Sequence, residues 1–451
     1  MNIKKGVVGK VYHCPIKGEF EFISNGLITI DQQGKICDVL HPSDPNYSKT
    51  LNFLKEKDSL QELTDQQFLL PGMIDLHIHA PQWPQAGKGL DLPLNEWLDH
   101  YTFPLEHKFS DLSFAEQYYP HLVKTYLANG TTTATYFATI NTSSSLYLAE
   151  TCIKYGQRAL VGKVSMDDKE MCPNYYVEES AEHSIQEAEK FITSFSQLAN
   201  NNNLVEPIIT PRFIPTCSLE ALKGLGDLAK KYQCAVQTHA SESDWARDFS
   251  QEKYNKTDIE IYNEAGLLGE RTILAHSIFL TDSDIDIIKQ KGSGIAHCPR
   301  SNIYFANAAL PLREYLDQEI QLGLGSDIAG GPLPSLFMAC SDAVLHSRVR
   351  ECGTNANLPA ETRGQSNSRV SLLEAYWMAT TGGGQLLKLP VGQFKKGYCF
   401  DALVIDDEDS NLLICPDLDS PQDILEKIIT HTTRNNIRQV WVDGNQVKSN
   451  V

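Results

Sequence analysis

The chain has 451 residues, of which 41% are hydrophobic, 21% charged and 9% aromatic, a composition that excludes a disordered chain, a collagen-like repeat and a small disulfide-stabilised scaffold. Asp and Glu number 57 against 39 Lys and Arg, which gives a formal net charge of −18. Because phosphate backbones and anionic lipid surfaces are bound by clustered Lys and Arg, we expect neither nucleic acid nor a membrane as a partner, and a small substrate instead.

The first seventy residues predict β-structure. Runs rich in β-branched and aromatic residues lie at 6–12, 20–23 and 26–39, and a Gln-Gln-Gly-Lys turn interrupts the last of them. These runs are short and are bounded by turn residues, as in a small β domain.

The middle of the chain, residues 71–389, alternates short apolar runs with longer amphipathic segments. Helical patterns occur at 113–130, where Pro120 is expected to kink the helix, and at 218–232. Eight strands that each precede a helix or turn predict an α/β protein with a (β/α)₈ barrel, whose catalytic groups lie at the carboxyl ends of the strands. A doubly wound open sheet is the competing architecture, since periodicity does not distinguish the two. The predicted strands are 72–79, 131–140, 159–166, 206–213, 235–240, 272–278, 292–298 and 321–327.

The last sixty residues return to β-structure. Strands are predicted at 402–406 and 439–447, and Asp443-Gly444 in the second of these is a two-residue hairpin signal. We therefore expect two domains: residues 1–70 with 390–451 form a discontinuous β domain, and residues 71–389 form the catalytic barrel.

Eleven cysteines are dispersed along the chain, and none forms a C-x-x-C pair. Such cysteines suit a reducing compartment, where they act as small buried apolar residues. The first residues, M-N-I-K-K-G-V-V-G-K, are not followed by an apolar stretch typical of a signal peptide. We expect a cytoplasmic protein.

The strongest local motif is P-G-M-I-D-L-H-I-H-A-P-Q at 71–82. Residues two apart in a strand point to the same side, so His77 and His79 present two imidazoles in one direction. Zinc is commonly bound by imidazole nitrogens at about 2 Å. Taken alone, the pair also fits a half-buried strand without metal.

Three further polar residues occur where predicted strands end. His239 lies in A-V-Q-T-H-A, His276 in T-I-L-A-H-S, and Asp327 closes L-G-L-G-S-D. A buried histidine bonded to the backbone is the usual role for any one of them. Their joint occurrence at strand ends of a barrel predicts a metal site.

The H-x-H pair followed by His, His and Asp at successive strand ends resembles the amidohydrolase superfamily, metal-dependent hydrolases built on distorted (β/α)₈ TIM-like barrels. Within it, the chain is similar to the guanine deaminases over essentially its whole length. The resemblance implies that the two chain ends form a small β-sandwich. The matching stretches are H-I-H-A-P-Q (77–82), D-L-P-L-N-E-W-L (91–98), Y-T-F-P-L-E-H (101–107), N-G-T-T-T-A-T-Y-F-A-T-I (129–140), T-P-R-F (210–213), H-A-S-E (239–242) and G-S-D-I-A-G-G (325–331).

The resemblance also implies a metal stoichiometry. Binuclear members of the superfamily carry a carboxylated Lys at the end of the fourth strand, whereas the present strand ends I-I-T-P-R-F without one. We expect one metal per subunit, Zn²⁺ rather than Fe²⁺. The ligands implied are His77, His79, His239 and Asp327.

The implied reaction is hydrolysis of guanine to xanthine and ammonia, in purine catabolism or salvage. Glu242 would protonate N3 of the ring, Asp327 would carry a proton from water to the leaving amine, and His276 would orient the nucleophile. Gln82 and Arg212 resemble the base-binding residues of the family, and Phe213 resembles its stacking partner.

Two other interpretations stay open. One is a related aminohydrolase that acts on an adenosine-like, pterin or triazine substrate. The other is a catalytically silent scaffold, against which Glu242 and Asp327 argue because a scaffold needs no proton shuttle. The family also implies a homodimer, and no role is assigned to Arg300 in A-H-C-P-R-S-N.

Overall fold

The computed structural model describes residues 3–306 and 308–447. Its strands, in chain order, are β1 (Ile3–Ile16), β2 (Glu19–Asp31), β3 (Ile36–Leu40), β4 (Leu60–Glu62), β5 (Gln67–Pro71), β6 (Met73–His79), β7 (Thr131–Phe137), β8 (Arg158–Gly162), β9 (Val164–Ser165), β10 (Val205–Pro211), β11 (Ala235–Ala240), β12 (Thr272–His276), β13 (Gly294–His297), β14 (Gln321–Leu324), β15 (Ala402–Asp406), β16 (Ile437–Val442) and β17 (Asn445–Val447).

The α-helices follow the same order. They are α1 (Tyr47–Glu56), α2 (Leu94–Trp97), α3 (Phe103–Lys108), α4 (Leu112–Ala128), α5 (Thr142–Tyr155), α6 (Ala181–Ser194), α7 (Leu219–Tyr232), α8 (Asp244–Tyr254), α9 (Asp258–Glu264), α10 (Asp282–Lys291), α11 (Pro299–Ser301), α12 (Leu312–Asp317), α13 (Leu336–Cys352), α14 (Ala360–Arg363), α15 (Leu372–Trp377), α16 (Gly383–Leu387) and α17 (Pro421–His431). None of the described helices offers a stretch long and apolar enough to cross a membrane.

Helix boundaries follow local capping chemistry. The helix predicted at 218–232 is α7, which begins where the Ser218 hydroxyl accepts a hydrogen bond from the Ala221 N–H. The helix predicted at 113–130 is α4, which runs continuously through Pro120 and starts at an Asp111 cap. Side-chain oxygens at these caps accept bonds from N–H groups that have no partner within the helix.

The central sheet is a nearly closed parallel barrel. Its strands follow the order β6, β7, β8, β10, β11, β12, β13, β14, and the short β9 also pairs with β10. The first and last strands meet through two backbone hydrogen bonds just beyond β14: Asp327 N–H donates to the His77 carbonyl at 2.9 Å, and His79 N–H donates to the Ile328 carbonyl at 3.0 Å. The sheet is a barrel and not the doubly wound open alternative.

The barrel is distorted at the H-x-H motif. The pairing of β6 with β7 shifts register between Asp75 and Ile78. Such irregularities bend a strand and re-aim its side chains, and they are frequent next to active sites. All seven residues of β6 are buried, as expected for a parallel strand covered on both sides.

All eight predicted barrel strands are present, and several end earlier than predicted. β14 stops at Leu324 and β10 at Pro211, so Asp327 and Arg212 lie in the loops that follow. The φ of Asp327 is +52°, a left-handed conformation that a strand does not adopt. The predicted strands thus extend two residues too far at 212–213 and three residues too far at 325–327.

A second, mixed sheet is built from both chain ends. Its order is β17, β16, β15, β5, β1, β2, β3, and β4 pairs with β1. The antiparallel pairing of β15 with β5, in which Leu403 lies opposite Leu70, joins the two ends. The predicted Asp443-Gly444 turn connects β16 to β17. The domain boundaries at 70/71 and 389/390 stay a prediction.

An apolar cluster fills the barrel towards the amino ends of its strands. Ile74, Leu160, Ile208 and Ile273 pack there against Leu386 of α16. Burying these side chains stabilises the barrel by about 1.5–3 kcal/mol each. The polar groups of the strands are left to the opposite, carboxyl end.

Candidate active site

The four predicted metal ligands converge at the carboxyl end of the barrel. The Nε2 atoms of His79 and His239 are 2.9 Å apart. Oδ1 of Asp327 lies 3.3 Å from Nε2 of His77 and 3.8 Å from Nε2 of His79. All four side chains are buried, and they come from β6, β11 and the loop after β14.

This donor set fits a single divalent cation. Neither ring nitrogen of His77 has a hydrogen-bond partner in the structure, although both are buried. An unsatisfied buried polar group is costly, and a metal ion would satisfy it. Ligands about 2.0–2.1 Å from a tetrahedral zinc stand roughly 3.3 Å from one another, close to the spacings found. Burial lowers the pKa of His77, His79 and His239, which keeps the imidazoles neutral as metal ligands must be.

Backbone groups orient these ligands. Nδ1 of His239 donates to the Arg212 carbonyl at 2.6 Å, which leaves its Nε2 free to bind a metal. One carboxylate oxygen of Asp75 accepts the N–H of His77 at 3.2 Å and the N–H of Ser326 at 3.0 Å. Burial raises the pKa of Asp75 to about 7. Asp75 thus links the first strand to the loop that carries Asp327.

Glu242 and His276 lie beside the ligand cluster. Nε2 of His276 is 3.5 Å from Oε1 of Glu242 and 3.8 Å from Oδ2 of Asp327. Nδ1 of His276 donates to Oδ1 of Asn302 at 2.8 Å, so the other ring nitrogen is directed at the site. Burial, and then the charge of Asp327, raise the pKa of Glu242 to about 8. Glu242 is therefore suited to carry a proton near neutral pH.

Several residues around the cluster have left-handed backbone conformations. The φ angles are +46° for Ser241, +68° for His276 and +52° for Asp327. Such conformations cost about 1–3 kcal/mol each in non-glycine residues and are typical of active sites, where the surrounding structure holds them.

A partly open cavity lies next to the cluster. The rings of Phe213 and Trp245 are 5.9 Å apart, and those of Trp97 and Phe305 are 4.7 Å apart. The lining residues are His79, Gln82, Leu94, Trp97, Leu98, Arg212, Phe213, His239, Glu242, Ser301, Phe305, Asp327 and Gly330.

Glu106, on helix α3, contacts two of the polar lining residues. Its carboxylate binds the Arg212 guanidinium in a bidentate pair, with N–O distances of 2.6 and 3.1 Å. It also accepts a hydrogen bond from Nε2 of Gln82 at 2.9 Å. Oε1 of Gln82 in turn accepts the N–H of Ala329 at 3.2 Å. The ring of Phe103 lies 5.1 Å from the guanidinium carbon.

The structure brings every site residue predicted from the sequence into this one region. The sequence did not predict Glu106 or Asn302 as site residues. Glu106 lies in the motif Y-T-F-P-L-E-H (101–107), and Asn302 ends A-H-C-P-R-S-N (296–302). The only signal in the sequence for Glu106 was an acidic residue within a matching motif. Arg300, to which no role was assigned, pairs with Asp342 at 2.8 and 2.9 Å.

Comparison with known proteins agrees with this geometry. The amidohydrolase family model matches residues 68–447. The probable guanine deaminase of Schizosaccharomyces pombe is 38% identical, over 98% of this chain and 82% of that protein. The guanine deaminase of Dictyostelium discoideum is 37% identical, over 98% of this chain and 97% of that protein.

Solved structures extend the likeness to three dimensions. The guanine deaminase from C. acetobutylicum, crystallised with guanine bound in its active site, matches with a TM-score of 0.88 at 34% identity. The match covers 98% of this chain and 100% of that one. Barrel, ligand cluster and full-length similarity together show that the chain belongs to the amidohydrolase family.

Proposed function

We propose that this enzyme hydrolyses guanine to xanthine and ammonia. The observation that carries the proposal is one cavity whose lining includes Gln82, Arg212 and Phe213 together with His239 and Asp327. Full-length similarity to guanine deaminases supports the same substrate, since one of them holds guanine in its active site.

Base binding would use the polar and aromatic lining of the cavity. Arg212 and Gln82 have N–H groups beyond those that Glu106 accepts, and these can donate to acceptors on the edge of a purine. Phe213 offers an aromatic ring on which a flat base can stack. This combination suits a neutral heterocycle that carries a carbonyl group.

His77, His79, His239 and Asp327 would hold one metal ion per subunit, Zn²⁺ with Fe²⁺ as the lesser option, since imidazole and carboxylate donors suit both. Bound there, zinc would lower the pKa of water towards about 7 and so supply the nucleophile at neutral pH. The Arg212 carbonyl keeps Nε2 of His239 directed at the site through the hydrogen bond to Nδ1.

Three side chains would move or hold protons. Glu242 lines the cavity and would deliver a proton to ring N3 as C2 becomes tetrahedral. Asp327 would take a proton from the attacking water and pass it to the leaving amine. His276, oriented by Asn302, would accept a hydrogen bond from the nucleophile and align it with C2.

The direct test is ammonia release, followed with the ultraviolet change, on guanine beside adenine, cytosine and guanosine. We expect selective conversion of guanine to xanthine by zinc-loaded protein. If guanine is not turned over while metal is bound, the proposed substrate is wrong and the other bases of the panel become the candidates.

Arg212→Ala tests the base-binding assignment. We expect a higher KM and a lower kcat for guanine, because the variant removes charge-assisted donors that a buried carbonyl would need, an effect of about 10- to 100-fold on kcat/KM. Unchanged guanine kinetics would refute the assignment.

Metal removal tests the cofactor. Dialysis against a chelator should abolish turnover, and stoichiometric Zn²⁺ should restore it, since the three imidazoles and the carboxylate would otherwise face each other without a cation. Elemental analysis of the protein as purified distinguishes zinc from iron. Full activity in protein shown to be metal-free would contradict the proposal.

The assembly and the compartment stay predictions. A homodimer is expected from the family, and light scattering of the full chain measures it directly. Cytoplasmic location follows from the dispersed, unpaired cysteines, and cell fractionation tests it.

A further inference from the structure

The helix α3 contributes a carboxylate that does not line the cavity but contacts both of its polar base-binding candidates. Glu106 is fully buried, and its two oxygens are shared among the Arg212 guanidinium and the Gln82 amide. Phe103, from the same helix, covers a face of that guanidinium. Helix α3 thus contacts the edge of the Arg212 guanidinium and the amide nitrogen of Gln82 through Glu106, and a face of the guanidinium through Phe103.

The contacts of Gln82 determine which way its amide points. Its nitrogen faces the Glu106 carboxylate, which only accepts hydrogen bonds, and its oxygen faces the Ala329 N–H, which only donates. A flipped amide would set oxygen against oxygen and N–H against N–H. The second N–H of the Gln82 nitrogen is then available as a donor to a ligand.

The Glu106 carboxylate also compensates the charge of Arg212. A buried cation without a partner is costly, and a bidentate carboxylate lowers that cost while it fixes the plane of the guanidinium. The Arg212–Glu106 pair therefore offers a ligand several N–H donors without a net charge, which suits recognition of a neutral carbonyl group.

We propose that Glu106 is a positioning residue that sets the specificity of the cavity for a purine with a 6-carbonyl group, because it fixes the donor directions of both Arg212 and Gln82. This inference rests on the proposed deamination of guanine. It assigns to Glu106 a role in selecting the base, through two other side chains, and none in the chemical step.

The test is the isosteric variant Glu106→Gln. Its neutral amide can present either end to Gln82 and leaves Arg212 uncompensated. For guanine we expect KM to rise about 10- to 100-fold while kcat falls less than about 5-fold, since Glu242 and the ligand cluster are unaltered. A matched control is Asp401→Asn, which removes another buried carboxylate from an arginine, Arg158, far from the cavity.

Two unreactive bases separate selection from folding. Hypoxanthine carries the 6-carbonyl group, purine lacks it, and neither has the exocyclic amine that hydrolysis removes. By calorimetry on zinc-loaded protein, Glu106→Gln should weaken hypoxanthine binding about 10- to 100-fold and purine binding less than 3-fold. A merely structural role would weaken both alike.

The outcomes distinguish this inference from the proposed function. Wild-type protein that does not turn over guanine overturns the function, and the ratio of hypoxanthine to purine binding still tests Glu106. The inference is wrong if the wild-type protein turns over guanine and Glu106→Gln changes the ratio of hypoxanthine to purine affinity by less than 2-fold. If that variant does not fold, Glu106→Asp takes its place. It keeps the charge, but its side chain is too short to reach both Arg212 and Gln82. The ratio of hypoxanthine to purine affinity should therefore fall at least 3-fold.

Discussion

Arg212, at the carboxyl end of the barrel, and Arg158, at its amino end, each form a bidentate ion pair with a carboxylate, and Arg158 also lies 3.5 Å from Oδ1 of Asp443. Arg212 binds Glu106 with N–O distances of 2.6 and 3.1 Å, and Arg158 binds Asp401 at 3.2 Å through both contacts. Both arginines are buried, 3% and 8% exposed respectively. Geometry and burial of the pair itself therefore do not tell the two apart.

What differs is the third partner of each carboxylate. Asp401 also accepts the backbone N–H of Asp443 at 2.7 Å, so it connects the barrel to the turn of the second sheet. Glu106 accepts instead from the Gln82 side chain, which lines the cavity. The Arg158–Asp401 pair is thus bonded to the backbone of the second sheet, whereas the Arg212–Glu106 pair is bonded to a side chain that lines the cavity.

The largest effect expected at the carboxyl end is on catalysis. Glu242→Gln keeps the shape of the side chain and removes the proton, so kcat for guanine should fall about 10³-fold, or about 4 kcal/mol of barrier. Metal content and the unfolding midpoint should stay at wild-type values. A variant with wild-type turnover would remove Glu242 as the acid.

At the amino end the expected effect is on stability. Asp401→Asn leaves the buried Arg158 with only its longer contact to Asp443, at 3.5 Å, which should lower the free energy of unfolding by about 3 kcal/mol in urea titrations. The kcat/KM for guanine should change less than 2-fold. A large loss of activity in folded Asp401→Asn would break the contrast between the two pairs.

The double variant Arg158→Met with Asp401→Leu sharpens that prediction. Replacing both charges with apolar groups of similar size removes the cation that has lost its main partner, so we expect it to unfold less easily than Asp401→Asn alone. If the double variant is the less stable of the two, the pair contributes through more than charge compensation.

A smaller effect concerns pH. Burial, with the nearby His346 and His276, lowers the pKa of His297 to about 3. The folded chain keeps this ring neutral, while the unfolded chain takes up a proton below about pH 6.5, so stability is full above that pH and decreases as the pH falls towards 3. Between pH 7.5 and 5, His297→Gln should lose about 2 kcal/mol less stability than the wild type in urea unfolding. Equal losses in the two proteins would contradict the assignment.

The alternation of strands and helices could be predicted from sequence because it depends on local patterns, as could a group of metal-competent residues at the strand ends: His77, His79, His239, His276 and Asp327. The barrel rather than an open sheet, and the choice of four of these residues as ligands, came from the family resemblance. The ends of the strands themselves were harder to predict. Left-handed residues such as Ser277 (φ +57°) end β12 although the surrounding sequence still reads as a strand.

The partners of the site residues could not be predicted in the same way. Glu106 and Arg212 are 106 positions apart, and their contact depends on how α3 packs over the barrel mouth. Asn302 and His276 are 26 positions apart: His276 is the last residue of β12, and Asn302 directly follows helix α11. No periodicity or spacing encodes such pairs, because they arise only from the assembled tertiary structure.

The seam between the first and last barrel strands has a consequence for synthesis of the chain. Gln82 and Ala329, which bond next to that seam, are 247 residues apart. At about 5–20 residues per second, a ribosome needs roughly 12–50 s to make that stretch. During this interval the two histidines of β6 exist without Asp327 or the hydrogen bonds that close the ring. The proposed ligand set is therefore complete only after Asp327 has been synthesised, so binding of a metal by all four residues would be a late event in maturation of the chain.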